Sequence, residues 1–326
     1  IVSGVLVVIG ILGVNPHIMG KLNLGIDFSG GRNYIIRFAE PVNTQEVNAA
    51  LDNVFMEAKS ELADEETFAL NVITIGDANQ VRVSTNYRIN DNSETLDDEI
   101  EALLYEGCKQ FLPENVTLKE FTSTDINPEI GIMQSQKVGP AIADDITQSA
   151  VWAVLAALLG IFLYVLLRFR NFSFSVGALA GLAHNTLIVL GAYALLWKVM
   201  PFSMEIDQSF IAAILTVIGY SINDTVVIFD RVREYTGLYP KRARKQNIND
   251  ALNQTLSRTF STSMSTLVVL IAIFCFGGET IRGFVFALII GVVVGTYSSL
   301  CVATPLAYDI QEALDRRKAK KAALNK

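Results

Sequence analysis

Residues 212–234 read AAILTVIGYSINDTVVIFDRVRE. An apolar run of roughly 20 residues, the length that crosses a bilayer, passes into a basic segment, yet Asn223 and Asp224 stand side by side within it. A charge at the bilayer centre costs about 2.5–3.5 kcal/mol on insertion scales. This carboxylate therefore needs a partner, water or a proton. At 100° per residue, Thr216, Gly219, Tyr220, Asn223 and Asp224 share one helix face, and the opposite face is Ile, Leu and Val. Asp224 lies seven residues before Arg231. At the helical rise that is roughly 10 Å below the basic boundary.

The rest of the chain is built on the same plan. Of its 326 residues 51% are hydrophobic, and they gather into blocks. Six spans are predicted, at residues 1–14, 150–167, 172–197, 210–229, 260–276 and 284–303. Arg168 and Arg170 fall between spans two and three. Arg231, Arg233, Lys241, Arg242, Arg244 and Lys245 fall between spans four and five, and Arg316, Arg317, Lys318, Lys320 and Lys321 follow span six. All three places lie on one side of a six-span protein, which the excess of Lys and Arg makes cytoplasmic. The long region between spans one and two is then outside. It is acidic, with 21 Asp and Glu against 7 Lys and Arg over residues 24–130. Such a split argues for a protein facing two compartments and against a nucleic-acid binder. The three cysteines form no disulfide framework. The run that begins at Ile1 has no charged segment before it and no cleavage site after it, so it reads as part of a longer polypeptide and not as a signal peptide.

The outer region alternates in a readable way. Residues 33–38 read as a strand, and residues 44–62 have helical spacing through Val47, Leu51, Val54 and Phe55. Residues 68–75 and 80–87 are β-branched runs around a Gly76-Asp-Ala-Asn turn, a hairpin signal. Residues 94–112 return to helical spacing, and residues 116–121 read as a last strand. The order β-α-β-β-α-β is that of a ferredoxin-like unit. The expected organisation is an α-helical polytopic membrane protein with six transmembrane helices and one extracytoplasmic α+β ferredoxin-like domain. Its parts would be a first transmembrane helix over 1–20, the ferredoxin-like domain over 21–130, a connector over 131–149, a five-helix transmembrane bundle over 150–306 and a basic cytoplasmic tail over 307–326.

Span five offers Asp224 a partner. Thr255, Arg258, Ser261, Thr262, Ser265 and Thr266 share a face there. A guanidinium stays charged and favours the carboxylate, whereas desolvation favours the neutral acid. Balanced effects of this kind suit a group that must gain and lose a proton, so Asp224 is expected to carry the proton and Arg258 to modulate it. Plainer roles compete: Arg258 snorkelling to lipid phosphate, and Asp224 as a structural hydrogen-bond partner between helices. Asp230 and Arg231 read as an ordinary interface pair. His184 and Asn185, mid-span in span three, read equally as interhelical glue or as part of the same polar path. Gly177-Ala-Leu-Ala-Gly181 and Gly291-Val-Val-Val-Gly295 are small-residue packing motifs. There is no P-loop, no dinucleotide glycine pattern, no metal-ligand spacing and no nucleophile beside a base. No enzyme chemistry and no cofactor are expected.

Four motifs carry a resemblance. GYSINDTVVIFDRVRE (219–234), LNQTLSRTFSTSMSTL (252–267), GIDFSGG (25–31) and VGPAIADDI (138–146) occur in the order found in the SecF family. That family comprises SecF and the SecF halves of fused SecDF protein-export proteins, within the resistance-nodulation-division superfamily, and the resemblance covers essentially the whole chain. It implies a bacterial cytoplasmic-membrane subunit that works with SecD, the SecYEG channel and YajC. Such a subunit uses the proton-motive force to help unfolded exported polypeptides across after the SecA-driven step, with the proton gradient as energy source. It also implies that Asp224 of Asn-Asp-Thr and Arg258 of Ser-Arg-Thr are the functional polar residues; Asn223, Tyr220, Thr262, Ser261, His184 and Asn185 are expected from their positions in the spans to be supporting polar residues within the membrane. One position departs: the family reads His-Asp in span three where this chain has His184-Asn185, and an amide carries no proton. The competing class is a small-molecule or lipid exporter of the same superfamily, which would need a substrate cavity and larger outer domains. In GIDFSGG, Gly30 and Gly31 are expected to turn the chain into the first strand and not to cradle a phosphate.

Overall fold

The computed structural model describes residues 23–61, 68, 70–91, 93, 95–197, 199–200 and 202–324. The first expected span lies outside the described residues. The described part of the chain is a small α/β domain on one end of a helical bundle.

The chain enters through a single helical turn, α1 (Ile26–Ser29), which ends at Gly30 with φ +69°. Gly31, at φ +144°, opens strand β1 (Gly31–Arg37). A Cβ on Gly31 would sit 2.7 Å from the Thr85 carbonyl oxygen, so the paired glycines meet both a backbone and a steric demand. Then follow α2 (Thr44–Glu61), β2 (Leu70–Thr74), β3 (Gln80–Thr85) and α3 (Leu96–Cys108). The expected turn between β2 and β3 forms, with Gly76 at φ +72°. The sheet is completed by β4 (Gly131–Val138) in the order β2-β3-β1-β4, with every neighbour antiparallel.

The domain's core follows from two periodicities. Tyr34, Ile36 and Phe38 alternate from β1, and Val81 and Val83 from β3. Val47, Leu51 and Phe55 recur every four residues on α2, as do Leu96, Ile100, Leu104 and Cys108 on α3. Phe55 and Tyr87 meet edge to face with centroids 5.3 Å apart. Burial pushes the Cys108 thiol up to about 12, so this cysteine is an inert core residue.

The last strand differs from the sequence expectation. Residues 116–121 do not form it: Leu118–Thr122 is a short helix, α4. Its start is a capping box, in which the Glu120 carboxylate accepts from the Thr117 N–H at 2.8 Å and the Thr117 hydroxyl accepts from the Glu120 N–H at 3.4 Å. Thr-x-x-Glu thus overrides the β-branched run. The true fourth strand, Gly131–Val138, occupies the start of the stretch read as a connector. Its middle residues are exposed and polar, Gln134 to Lys137, so it lacks the apolar alternation that marks a strand.

Gly139 and Pro140 lead from β4 into the bundle, with Pro140 at the first turn of α5 (Pro140–Phe169). The remaining helices are α6 (Phe172–Leu196), α7 (Gln208–Leu238), α8 (Arg244–Phe276), α9 (Glu279–Ser298) and α10 (Thr304–Leu324). A π turn over Ser299–Ala303 joins α9 to α10. Among the described residues five segments are long and apolar enough to cross a membrane: α5, α6, α7, α8 and the continuous stretch Ile281–Leu324. Four of them contain an expected span whole, and α6 matches its span to within one residue. Except for α6, the helices overrun those spans because polar flanks continue the helix beyond the apolar part.

Both small-residue motifs lie at helix crossings. A Cβ on Gly177 would meet the Ala303 carbonyl oxygen at 2.5 Å, and one on Gly291 would meet Val217 Cγ2 at 2.2 Å. Backbones approach there as only glycine permits.

Candidate functional site

α7 turns Asp224 inward, where it is only 5% exposed. Its neighbours on the predicted polar face do the opposite: Thr216, Gly219 and Asn223 are exposed on the flank of the bundle. Tyr220 is half-buried and donates to Thr266 Oγ1 of α8 at 3.3 Å. Arg258 is exposed on α8, close enough to act on the Asp224 carboxylate through space. No direct ion pair joins the two among the described residues. The buried Ser263 hydroxyl lies beside the same carboxyl and hydrogen-bonds Thr296 Oγ1 of α9 at 2.6 Å. Asp224 Oδ2 is buried without a protein hydrogen-bond partner. Ser261 is exposed, and Thr262 donates back to the Arg258 carbonyl at 2.9 Å.

A second polar layer lies deeper, among α6, α7 and α9. His184 Nδ1 meets Ser298 Oγ at 2.8 Å. Asn185 is fully buried against Gly295 and Ser221, and neither of its amide atoms has a protein partner. Thr225 Oγ1 meets Ser299 Oγ at 2.8 Å. Ser299 opens the π turn, and its carbonyl accepts from Thr304 Oγ1 at 2.9 Å. The structure therefore brings Asp224, Arg258 and Tyr220 to the α7–α8 contact, leaves Thr262 bonded within α8, and puts His184 and Asn185 in a separate layer. Asn223 and Ser261 face outward. Ser263, Thr296, Ser298, Ser299 and Thr225 were not singled out by the sequence reading. Their signal was faint: hydroxyls at positions 221 and 225, and a serine pair within an apolar run.

At the basic end, Asp230 pairs with Arg168 at 3.0 Å and Arg233 at 3.4 Å, not with Arg231 as the sequence suggested. Residue 231 lies about 100° round the helix from 230, so Arg231 reaches Glu234 at 2.6 Å and Gln254 instead. Between α7 and α8, Arg231, Glu234, Thr255 and Arg258 line a cavity of ≈ 390 Å³. Among the described residues no group of three His, Cys, Asp or Glu side chains could hold a metal ion.

An α/β domain on a bundle with a carboxylate buried among hydroxyls defines a polytopic membrane protein of the transport class. The family model described as "Protein export membrane protein SecD/SecF, C-terminal" matches residues 118–313, and the "SecD/SecF GG Motif" matches residues 20–42. The chain belongs to this SecD/SecF family of protein-export membrane proteins. It is similar to the "Protein translocase subunit SecF" of Rhodothermus marinus, 38% identical over 95% of this chain and 89% of that protein. The SecF of Thermodesulfovibrio yellowstonii is 35% identical over 93% of this chain and 89% of its own length. Among solved structures, SecDF of Thermus thermophilus, described as a translocon-associated membrane protein, matches with a TM-score of 0.71 at 29% identity. The match covers 95% of this chain and 37% of the SecDF chain. The family resemblance read from the four motifs is borne out.

Proposed function

We propose that this chain is a proton-motive-force-driven accessory subunit of the Sec translocase, assisting late translocation of secreted polypeptides across the bacterial cytoplasmic membrane. It works with SecD, beside SecYEG and YajC. In this reading residues 1–20 supply a sixth span, the α/β domain is a ferredoxin-like unit facing the periplasm, and the C-terminus is cytoplasmic. The all-antiparallel order β2-β3-β1-β4 supports that domain assignment.

The observation that carries the proposal is Asp224: buried, with Oδ2 unpartnered, and within reach of the Arg258 field. Taking up a proton neutralises the carboxylate and removes its attraction to the guanidinium, so the α7–α8 contact has two electrostatic states. The energy available is about 2.3 kcal/mol per charge per 100 mV. Asp224→Asn keeps the shape and fixes the group in the neutral state. Potential-driven translocation of a precursor into inverted membrane vesicles should fall to background in this variant, while its membrane insertion stays normal. Full activity in Asp224→Asn rejects the proposal.

A further inference from the structure

The segment between α6 and α7 joins two of the predicted spans. Residues 202–207, Phe-Ser-Met-Glu-Ile-Asp, alternate strictly. Phe202 (9% exposed), Met204 (1%) and Ile206 (6%) are buried in the apolar core of the bundle. Ser203, Glu205 and Asp207 take the other side, as extended backbone requires. That side is held by the α/β domain. Arg82 of β3 donates to Glu205 Oε2 at 2.8 Å and to Ser203 Oγ at 3.3 Å, and Asn71 of β2 donates to Glu205 Oε1 at 3.4 Å. The backbone is tied as well: the Gly25 N–H donates to the Ile206 carbonyl at 2.9 Å, and the Ile206 N–H to the Asn23 carbonyl at 2.8 Å. At the next residues Asp207 caps α7, its carboxylate accepting from the Phe210 N–H at 2.8 Å, while the Gln208 N–H donates to Asp27 of α1 at 3.2 Å.

We propose that this two-faced strap couples the membrane bundle to the sheet, with Glu205 and Arg82 as the positioning residues that transmit movement of α7. The inference rests on the function proposed above. α7 carries Asp224, and the strap runs directly into its N-terminus. Asp224 is 16 residues from Gln208, about 24 Å along a stiff helix, so a tilt or slide of α7 at Asp224 is delivered to the strap. The covalent link from the sheet to the bundle, β4 to α5, passes through Gly139, whose Cβ position has open space around it. α5 also contributes none of the hydrogen bonds around Asp224. A buried ion pair contributes little net stability. Burial in fact pushes the Glu205 carboxyl above its usual range, with Arg82 pulling it down and Asp207 and Asp27 adding to the rise. An expensive pair at the seam of two domains fixes their mutual orientation.

The test uses the full chain in membranes carrying the rest of the translocase. The variants are Glu205→Gln, Arg82→Gln and the exchange Arg82→Glu with Glu205→Arg. Precursor translocation and proton flux, followed by a pH-sensitive dye, are read in parallel. Each single variant should lose translocation by about tenfold, the scale of coupling between sites, with proton flux unchanged, and the exchange should restore it. Glu205→Gln is nearly isosteric, and retained flux certifies an intact bundle. Wild-type translocation in both single variants overturns the proposal. So does a parallel loss of flux and translocation, or failure of the exchange to rescue, since either outcome makes the pair structural only. Asp224→Asn, run alongside, judges the function proposal separately: if that variant translocates normally the motor reading fails, whatever the strap variants do.

Discussion

Asp224 and Asp97 each answer to an arginine, and burial separates their roles. Asp224 is buried while Arg258 is exposed. In the α/β domain the order is reversed: the Arg32 side chain is 1% exposed and Asp97 is 48% exposed, paired at 2.7 Å. A buried guanidinium cannot shed its charge, so Asp97 is what keeps Arg32 tolerable inside. Partial burial raises the Asp97 carboxyl, but its hydrogen bond and charge interaction with Arg32, helped by Lys137 at 3.4 Å, outweigh that and hold it below the usual range. The folded-state value is depressed, so the pair's stabilisation is present above the unfolded value, about pH 4. It is lost as pH falls through the lower folded value. Asp97→Asn should cost about 1–2 kcal/mol, less than a fully buried pair because Asp97 is half exposed, and should flatten the acid limb of stability. Hydrogen exchange of the β1 and β3 amides in the detergent-solubilised chain, followed against pH, measures both. An acid limb as steep as wild type's would mean that another carboxylate is responsible. This pair was invisible in the sequence, because 65 residues separate its members and neither stands out in a polar region. Asp224 was legible because a carboxylate in an apolar run is anomalous. Its hydroxyl neighbours were not, since membrane-helix Ser and Thr commonly bond their own backbone, as Thr216 does to the Ala212 carbonyl at 2.7 Å.

Elements were legible where one face is apolar and the other is not. β1, α2, β3 and α3 satisfy that condition, and the structure has them nearly where the periodicity predicts. β4 fails it because its middle is exposed, and α4 misleads because a capping box outcompetes β propensity. The strap at residues 202–207 does alternate, but so short an alternation is not distinctive until the second domain that holds its polar side is known. Crossings between elements are legible as glycine spacing, and Gly291 tests how tightly. A Cβ there falls 2.2 Å from Val217 Cγ2, and Val217 lies two turns from Asp224 on α7. Gly291→Ala should therefore push α9 off α7, at an overpacking cost of about 1–3 kcal/mol, and lower the melting temperature of the purified chain. Adding Val217→Ala should restore it. Gly139→Ala, where nothing lies within 4 Å, is the matched control. A destabilisation that Val217→Ala leaves untouched would assign the effect to the backbone and not to the crossing.

The bundle presents two unlike flanks at the scale of the whole molecule. α5 is almost entirely outward, only 6% of its apolar window being buried, and it exposes Val151, Trp152, Leu155, Leu159 and Leu163. Such a surface suits lipid. On the α7–α8 flank the exposed residues include Thr216, Asn223, Arg258, Ser261 and Ser265, and polar groups at membrane depth are expensive unless protein or water meets them. The SecDF chain that shares this fold is longer, the present chain covering 37% of it. A cover from a second membrane subunit is therefore expected on the α7–α8 flank and not on α5. Ser261→Leu combined with Ser265→Leu keeps α8 apolar enough to insert but removes the polar complement. Co-purification with SecD should drop severalfold, by the 1–2 kcal/mol typical of interhelical polar contacts, with insertion unaffected. Ala156→Leu, which also adds apolar bulk but on the exposed face of α5, should leave co-purification alone. If the double variant binds SecD as well as wild type while the α5 variant does not, the two flanks have been assigned the wrong way round, and α5 is the face that meets the partner.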